Sequence, residues 1–358
     1  MTVTMNEGEV MTVLGPVSSD DLGITLVHEH LFNDIRRLFK PKPDTSEIDL
    51  ERWQQKLTLE NLHVAREAGP IADNYVLDDE SVAIEDLIQF GVSGGGTLVE
   101  LTPIGVGRDP LAMRRVSKAA GVNVVMGTGW YREMYHPDNM SCRTIDDLVT
   151  EMEKDITIGV GNTGVRAGVI GEIGVHVDDP SEAAPAAEIK CIRAAARAAR
   201  STGVAVSVHM VGGRKARMDV ISALLEEGAD MSRIVLCHSD LIAHDDQLLL
   251  ELLEYGVYVE FDLLGRVEAV PIPSRSASVP DAILKLTAEG WTERILLSQD
   301  FCMKWHLKRW GGVGRSWILD RFLPYLSSIC ISEEQVKTIM VENPKRLLTL
   351  DRSNTSPS

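Results

Sequence analysis

Apolar runs of strand length alternate along this chain with longer stretches that have the spacing of amphipathic helices. The first run, residues 24–30, reads Ile-Thr-Leu-Val-His-Glu-His. Seven further apolar runs follow at residues 96–101, 122–126, 165–170, 204–209, 234–238, 257–262 and 294–300. The helical stretches that separate them cover residues 81–90, 110–120, 144–158, 185–202, 217–227, 245–255 and 279–289. This alternation predicts an α/β protein with a (β/α)8 TIM barrel, since a doubly wound open sheet would fit fewer strands and a glycine-rich first turn that is missing here.

The pattern departs from a plain barrel near both ends. Residues 9–20 alternate and then turn, which predicts an N-terminal β-hairpin that caps the barrel. A long polar insert, about residues 33–79, follows the first strand and has helical spacing over 50–68. Connections of this length usually form a lid, and a surface used for oligomer contact is the alternative. We expect closing helices at 331–341 and 344–348, a flexible tail at 351–358, and a single domain over 1–358.

Ionisable side chains collect where the predicted strands end, and in a (β/α)8 barrel this end carries the chemistry. The residues concerned are His28, His30, Glu172, His209, His238 and Asp300. Since residues i and i+2 of a strand share a face, His28 and His30 should converge while Glu29 points away. Histidines satisfied by core hydrogen bonds are the alternative for the first pair alone. A core that buried all six without partners would lose several kcal/mol for each, whereas a divalent metal such as zinc would hold them together.

Composition narrows the possible partners and the compartment. Apolar residues make up 44% of the 358, which suffices for a large core, and no run has membrane-spanning length. The net charge of −17 argues against nucleic acid or anionic lipid as a partner. Five cysteines without CxxC spacing and a start without a secretory signal favour the cytoplasm. We therefore expect a small-molecule substrate, no nucleic acid, no membrane contact and a homodimer.

Five segments carry a resemblance to a known family. They are Val27-His-Glu-His-Leu, Met126-Gly-Thr-Gly-Trp-Tyr131, Gly168-Val-Ile-Gly-Glu-Ile-Gly174, Leu297-Ser-Gln-Asp300 and Glu342-Asn-Pro-Lys-Arg-Leu. In order and spacing the chain from about residue 13 to 348 resembles the phosphotriesterase family, in particular its phosphotriesterase-related branch within the amidohydrolase superfamily. A lone His-x-His motif would not be specific, but the ordered set is.

The resemblance implies a centre with two divalent metal ions that share a bridging hydroxide. His28, His30 and Asp300 would hold the more buried ion, and His209 and His238 the more exposed one. Glu172 would bridge the two in place of the carboxylated lysine of the phosphotriesterases proper. Because Glu172 stands one residue later than that lysine, a local bulge is needed to turn it to the same face. Zinc is the expected metal, with Mn2+, Co2+ and Fe2+ as the other candidates.

The departures from the family pattern bear on the substrate. Leu241 and Leu263 stand where phosphotriesterases proper have the acid and the histidine of a proton relay, which favours a carbonyl substrate: a lactone, an ester or an amide. Asp300 would be both a ligand and the proton acceptor, and we count it with Glu172 as catalytic. Candidates for shaping the pocket are Trp130, Tyr131, Arg266, Trp305 and His306. Three alternatives stay open: a phosphotriester hydrolase, a ligand-binding barrel without turnover, and a decarboxylase or deaminase with one metal.

Overall fold

The protein folds as a (β/α)8 barrel, as the sequence predicts. A computed structural model describes residues 7–67, 69–266 and 279–350. The strands in these ranges are β1 (Glu9–Thr12), β2 (Gly15–Ser18), β3 (Ile24–Glu29), β4 (Asn33–Asp34), β5 (Val76–Leu77), β6 (Gly95–Glu100), β7 (Asn123–Thr128), β8 (Val169–His176), β9 (Val206–Val211), β10 (Ile234–Leu236), β11 (Tyr258–Phe261) and β12 (Ile295–Leu297). Strands β3 and β6 to β12 pair in parallel in chain order. The first and last of these meet where Asp300 N and Ser298 Oγ both donate to His28 O, at 3.0 and 2.7 Å.

Helices surround the barrel, and most begin and end close to the predicted positions. In the described ranges they are α1 (Arg36–Phe39), α2 (Glu47–Trp53), α3 (Leu62–Arg66), α4 (Glu80–Val92), α5 (Pro110–Ala120), α6 (Ile145–Thr157), α7 (Ala186–Thr202), α8 (Arg214–Glu226), α9 (Asp246–Glu254), α10 (Val279–Ala288), α11 (Leu323–Ser328), α12 (Glu333–Lys337) and α13 (Asn343–Leu348). The bounds of α5 agree with the prediction because Asp109 caps its first turn and Gly121 ends it in a left-handed conformation.

The N-terminal hairpin is present and covers the base of the barrel. Strands β1 and β2 pair antiparallel, and Val13 N donates to Val124 O at 2.9 Å. Val10 is buried in the barrel interior together with Leu22 and Val27. The hairpin therefore closes the end of the barrel opposite the predicted site.

The insert contains short helices, and the helical spacing over 50–68 corresponds to the end of α2 and to α3 rather than to one continuous helix. Helices α2 and α3 are separated because the side chain of Asn61 bonds the backbone: Oδ1 accepts from Thr58 N and Nδ2 donates to Lys56 O. Such bonds compete with helix formation. Farther along the insert, Asn74 Oδ1 accepts from Trp305 N at 3.1 Å, which fixes the insert to the segment after β12.

Three other boundaries differ from the predictions. Strand β8 covers residues 169–176 rather than 165–170, and the pattern analysis did not include α11 or the π-helical segment Ile318–Phe322 that leads into it. The two predicted closing helices form one continuous stretch, in which the π-helical segment Thr338–Glu342 joins α12 to α13. The predicted tail at 351–358 lies outside the described residues.

Among the described helices, none is both long and apolar enough to cross a membrane.

Candidate metal centre

Strand β3 delivers two imidazoles to the C-terminal end of the barrel. His28 Nδ1 donates to Asp262 Oδ2 at 2.9 Å, and His30 Nδ1 lies 2.8 Å from Thr102 Oγ1. With these atoms engaged, the Nε2 atoms of both rings face Glu172, at 3.6 Å from His28 and 3.4 Å from His30. Both histidines are buried. The His-x-His spacing thus brings two ring nitrogens together, as the period of a strand requires.

Asp300 joins this pair from the end of β12. Its Oδ1 lies 2.9 Å from His30 Nε2 and 3.7 Å from His28 Nε2. Glu29 points the other way, as predicted, and accepts from the backbone N–H groups of Gln299 and Phe301 at 2.9 and 3.2 Å. Glu29 therefore holds the segment that carries Asp300, while the histidines on either side of Glu29 face Asp300.

Glu172 reaches the same space through an irregularity in β8. The pairing of β8 with β9 shifts register between Ile170 and Ile173, which is the bulge that the resemblance implied. Gly171 has φ +142°, and a Cβ there would lie 2.6 Å from Ser207 O, so only glycine fits. Glu172 Oε2 lies 3.0 Å from His209 Nδ1. One carboxylate thus contacts histidines from β3 and from β9.

His209 and His238 complete the arrangement on the other side of Glu172. His209 Nδ1 lies 2.7 Å from His238 Nε2. His238 has a left-handed backbone with φ +55°, and its Nδ1 donates to Asp262 Oδ1 at 2.7 Å. Asp262 therefore accepts from His28 with one oxygen and from His238 with the other.

The six predicted ligands form two groups. In the first group are His28, His30 and Asp300, and in the second are Glu172, His209 and His238; within each group the potential ligand atoms lie within 4.8 Å of one another. His28 Nε2 and Glu172 Oε2 are buried without a hydrogen-bond partner among the described residues. Imidazole nitrogens and carboxylate oxygens are the ligands of zinc and similar ions. The residues present therefore fit divalent metal ions.

The electrostatics of the site suit a cation. Burial, with a contribution from His238, lowers the pKa of His209 to about 4, which keeps this ring neutral. Burial also opposes the ionisation of Glu172, but the neighbouring rings of His28 and His209 hold its pKa below the usual range. Burial opposes the charged form of His28 as well, yet the carboxylates of Asp300 and Glu172 raise its pKa well above the usual range. These carboxylates create a negative potential that attracts positive charge.

Two residues that orient the ligands were missed by the sequence analysis. Asp262 holds two histidines, as described above, and Thr102 Oγ1 donates to Glu100 Oε1 at 2.8 Å while it contacts His30. Such partners fix the tautomer and the direction of a ligand ring. Asp262 ends the predicted strand 257–262 and Thr102 directly follows the predicted strand 96–101. The strand-end rule applied to every strand would have found both.

A cavity of about 530 Å³ opens above the two groups. Tyr131 and Arg266 line it, as predicted for pocket residues, and the Tyr131 hydroxyl lies 3.3 Å from His209 Nδ1. The guanidinium of Arg266 pairs with the Asp300 carboxylate. Leu241 and Leu263 also line the cavity, so apolar side chains occupy the positions at which the resemblance placed a proton relay.

The structure does not place Trp130, Trp305 or His306 on the cavity wall. Trp130 is buried in the core beneath Arg143, whose guanidinium lies 5.0 Å from the ring centre. Trp305 packs against apolar side chains of the insert, including Leu57. His306 is buried at 2% exposure and lies against the Trp305 ring. The two tryptophans are therefore packing residues: Trp130 fills the core near the end of β7, and Trp305 packs against the insert.

Comparison with known proteins gives consistent matches over the length of the chain. A model of the phosphotriesterase family matches residues 8–348. An N-acetyltaurine hydrolase of Dictyostelium discoideum is 32% identical over 375 residues, covering 97% of this chain and 100% of that protein. An N-acetyltaurine hydrolase of Danio rerio is 34% identical and covers 96% and 98%. The crystal structure of a resiniferatoxin-binding protein from Rhodobacter sphaeroides aligns with a TM-score of 0.89 at 35% identity over 96% of each chain.

Proposed function

Given that the chain belongs to the phosphotriesterase family and is a hydrolase, we propose that it cleaves the amide bond of N-acyl amines at a centre of two divalent metal ions. One observation carries the metal-dependent part: six potential ligand residues, on or shortly after five of the barrel strands, meet in two groups at one end of the barrel. The choice of an amide rests on the two full-length relatives named N-acetyltaurine hydrolase.

Each group of ligands would hold one ion. His28, His30 and Asp300 would hold the first, His209 and His238 the second, and Glu172 lies between the groups. When bound, such ions lower the pKa of a water molecule to about 7 and polarise the oxygen of a substrate carbonyl. Zinc suits these nitrogen and oxygen ligands, and Mn2+, Co2+ and Fe2+ are the other candidates.

Asp300 is the residue that we propose moves the proton. Burial opposes its ionisation, but Arg266 and the neighbouring histidines hold its pKa well below the usual range, so the side chain is an ionised carboxylate. When water adds to the substrate carbonyl, a carbon–oxygen bond forms and Asp300 would take the proton that the water gives up. Asp300 would then pass this proton to the amine nitrogen as the carbon–nitrogen bond breaks, because an amine leaves readily only when its nitrogen is protonated.

We propose that Tyr131 orients the substrate. Burial, together with the charges of Glu172 and Asp300, raises the pKa of Tyr131 well above its usual range, so the phenol stays protonated. Its hydroxyl lies beside His209 and can donate a hydrogen bond to a carbonyl oxygen in the cavity.

The two leucines favour an amide over a phosphotriester. Leu241 and Leu263 cannot carry a proton, so Asp300 is left as the proton carrier for the leaving group. A triester with a good leaving group needs no such proton, whereas an amide does, and general acid–base catalysis contributes about 10²–10⁴-fold. We expect kcat/KM for the best carbonyl substrate to exceed that for any phosphotriester by at least about 10²-fold.

Metal analysis combined with a substrate panel tests the proposal. Purified protein should contain about two metal ions per chain and lose amide hydrolysis to a chelator. Glu172→Gln should lower metal content and activity together because it removes the charge between the two groups. His176→Asn is the matched control, since His176 lines the cavity but belongs to neither group, and it should keep the metal. A protein stripped of metal that still hydrolysed amides at the full rate would refute the proposal.

A ligand-binding barrel without turnover is the second candidate. The resiniferatoxin-binding protein, which is 35% identical, favours it. Metal-replete protein that bound compounds in the cavity but hydrolysed no amide, ester, lactone or phosphotriester would establish this function instead.

A further inference from the structure

We propose that Arg132 binds an anionic group on the amine half of the substrate, so that the substrates are N-acyl derivatives of small sulfonic or carboxylic amino acids. This inference rests on the proposed amide hydrolysis and adds a substrate class and a specificity residue to it. Arg132 lines the same cavity as Tyr131, Glu172 and His209.

Arg132 is a cationic side chain whose charge is not neutralised by an ion pair. Within the described chain, its guanidinium forms no ion pair and no hydrogen bond with another residue. Arg266, which lines the same cavity, differs: it pairs with the Asp300 carboxylate and donates to Gln299 O at 3.2 Å. An anionic ligand entering the cavity would therefore find an available guanidinium at Arg132.

The backbone at Arg132 is held on both sides. Arg132 O accepts from Tyr135 N at 2.8 Å, and the Glu188 carboxylate accepts from Glu133 N and from His176 N, both at 2.9 Å. At Gly174 a Cβ would lie 2.3 Å from Arg132 N, so the strand passes close beneath this segment. A fixed backbone limits where the guanidinium can reach, which is what a specificity residue requires.

The neighbours of Arg132 leave its charge available to the cavity. His176 Nε2 is engaged by Asp178 Oδ1, so this ring nitrogen does not compete for an anion. Asp178 also lines the cavity, but its carboxylate pairs with His176 Nε2 at 3.1 Å. The guanidinium of Arg132 thus acts on a part of the wall that has no other unpaired cation among the described residues.

Arg132 and the residue expected beside the reacting carbonyl line one cavity. Tyr131 contacts His209, so the reacting carbonyl is expected beside Tyr131, and Arg132 lines the same cavity. An anion held by Arg132 would therefore belong to a substrate whose amide lies in this cavity. Another part of the wall is apolar and would accept the acyl group; it includes Ile35, Leu38, Phe39, Val106 and Met303.

The test compares three acetamides that share the acyl group. N-acetyltaurine carries a sulfonate, N-acetyl-β-alanine a carboxylate on the same two-carbon linker, and N-acetylethanolamine a neutral hydroxyl. Arg132→Gln should lower kcat/KM for the two anions by about 10- to 100-fold, mainly through KM, because a hydrogen bond to a charged group is lost away from the reacting carbonyl. Hydrolysis of the neutral amide should change less than about 2-fold, and Arg132→Lys should recover part of the loss.

Arg37→Gln is the matched control. The Arg37 guanidinium lies 5.7 Å from the ring centre of Tyr135 but Arg37 does not line the cavity, so this variant should behave like the wild type on all three substrates. An equal loss on charged and neutral amides in Arg132→Gln, or no loss on the anions, would overturn the inference.

A direct binding measurement separates this inference from the proposed function. If the wild type hydrolyses none of the three amides, the proposed function fails, and calorimetric titration of metal-loaded protein with N-acetyltaurine decides on Arg132. Weaker binding in Arg132→Gln than in Arg37→Gln would support anion recognition by Arg132. Equal binding in both variants, or no binding to the wild type, would refute it.

Discussion

Replacing Asp262 by asparagine should remove one metal ion in preference to the other. The two carboxylate oxygens of Asp262 accept from different rings, Oδ2 from His28 Nδ1 at 2.9 Å and Oδ1 from His238 Nδ1 at 2.7 Å. Asparagine has the same shape but offers one acceptor and one donor group. At one of the two histidines the side-chain N–H group of the asparagine would face the Nδ1–H group of the ring. That ring would then have to carry its proton on Nε2, which is the atom that faces the other ligands.

The size of the effect follows from this count of acceptors. Loss of the hydrogen-bond partner of a ligand histidine typically lowers metal affinity by about 10- to 100-fold. Because the amide still satisfies one ring, we expect a loss of this size for one ion and a much smaller loss for the other. Burial opposes the ionisation of Asp262, but His238 and His28 hold its pKa below the usual range, so the substitution also removes a full negative charge.

The assay is metal content by mass spectrometry after dialysis against increasing concentrations of a chelator, with kcat/KM measured on the same samples. Asp240→Asn is the control: Asp240 is buried next to Asp262 and accepts from Asp262 N at 2.8 Å, but it contacts neither ring. Burial and the charge of Asp262 raise the pKa of Asp240 to about 7, so a neutral amide there is a small change. The reasoning would be refuted if Asp262→Asn bound both ions with wild-type affinity. It would also be refuted if Asp240→Asn lost one ion as readily as Asp262→Asn does. Thermal unfolding of the metal-free variants distinguishes weak metal binding from a damaged fold.

Two further predictions concern the structure that supports the site. Asp73→Asn should lower the free energy of unfolding at pH 7 by about 2 kcal/mol, since Asp73 Oδ1 pairs with Lys304 Nζ at 3.0 Å and with Lys56 Nζ at 2.6 Å. Burial opposes the ionisation of Asp73, but these lysines hold its pKa below the usual range. The difference in stability between variant and wild type should therefore persist down to about pH 4 and shrink at lower pH, as urea unfolding at pH 7 and pH 3 would check. Gly171→Ala should cost more than about 2 kcal/mol, because φ there is +142° and Cβ would meet Ser207 O at 2.6 Å. Gly94→Ala, with φ +97° and open space around Cβ, adds strain alone, and an equal melting temperature for the two glycine variants would contradict the argument.

The fold and the ligand residues follow largely from local patterns in the sequence. Apolar runs of strand length alternating with helical spacing gave the eight barrel strands, because burial of a parallel strand on both faces requires a continuous apolar run. The ligands followed because ionisable residues at the ends of such runs must meet at one end of a closed barrel. The bulge before Glu172 followed from the resemblance instead: Glu172 stands one residue later than the family's lysine, and a shift of one residue turns a side chain to the other face.

The tertiary structure decided which neighbours each of these side chains contacts. Asp262 serves His28, which is 234 residues away in the chain, and His238, which is 24 residues away; no local pattern records that two such distant rings share one carboxylate. Trp130 and Tyr131 are adjacent in sequence, yet one packs in the core and the other lines the cavity, because the direction of each side chain depends on the path of the loop. Arg132 and Arg266 are both arginines beside the site, and only the long-range contact of Arg266 with Asp300 distinguishes a neutralised cation from an available one. Periodicity along a chain determines the elements, whereas closure of the barrel brings residues that are far apart in the chain into contact, and these contacts set the chemistry of the site.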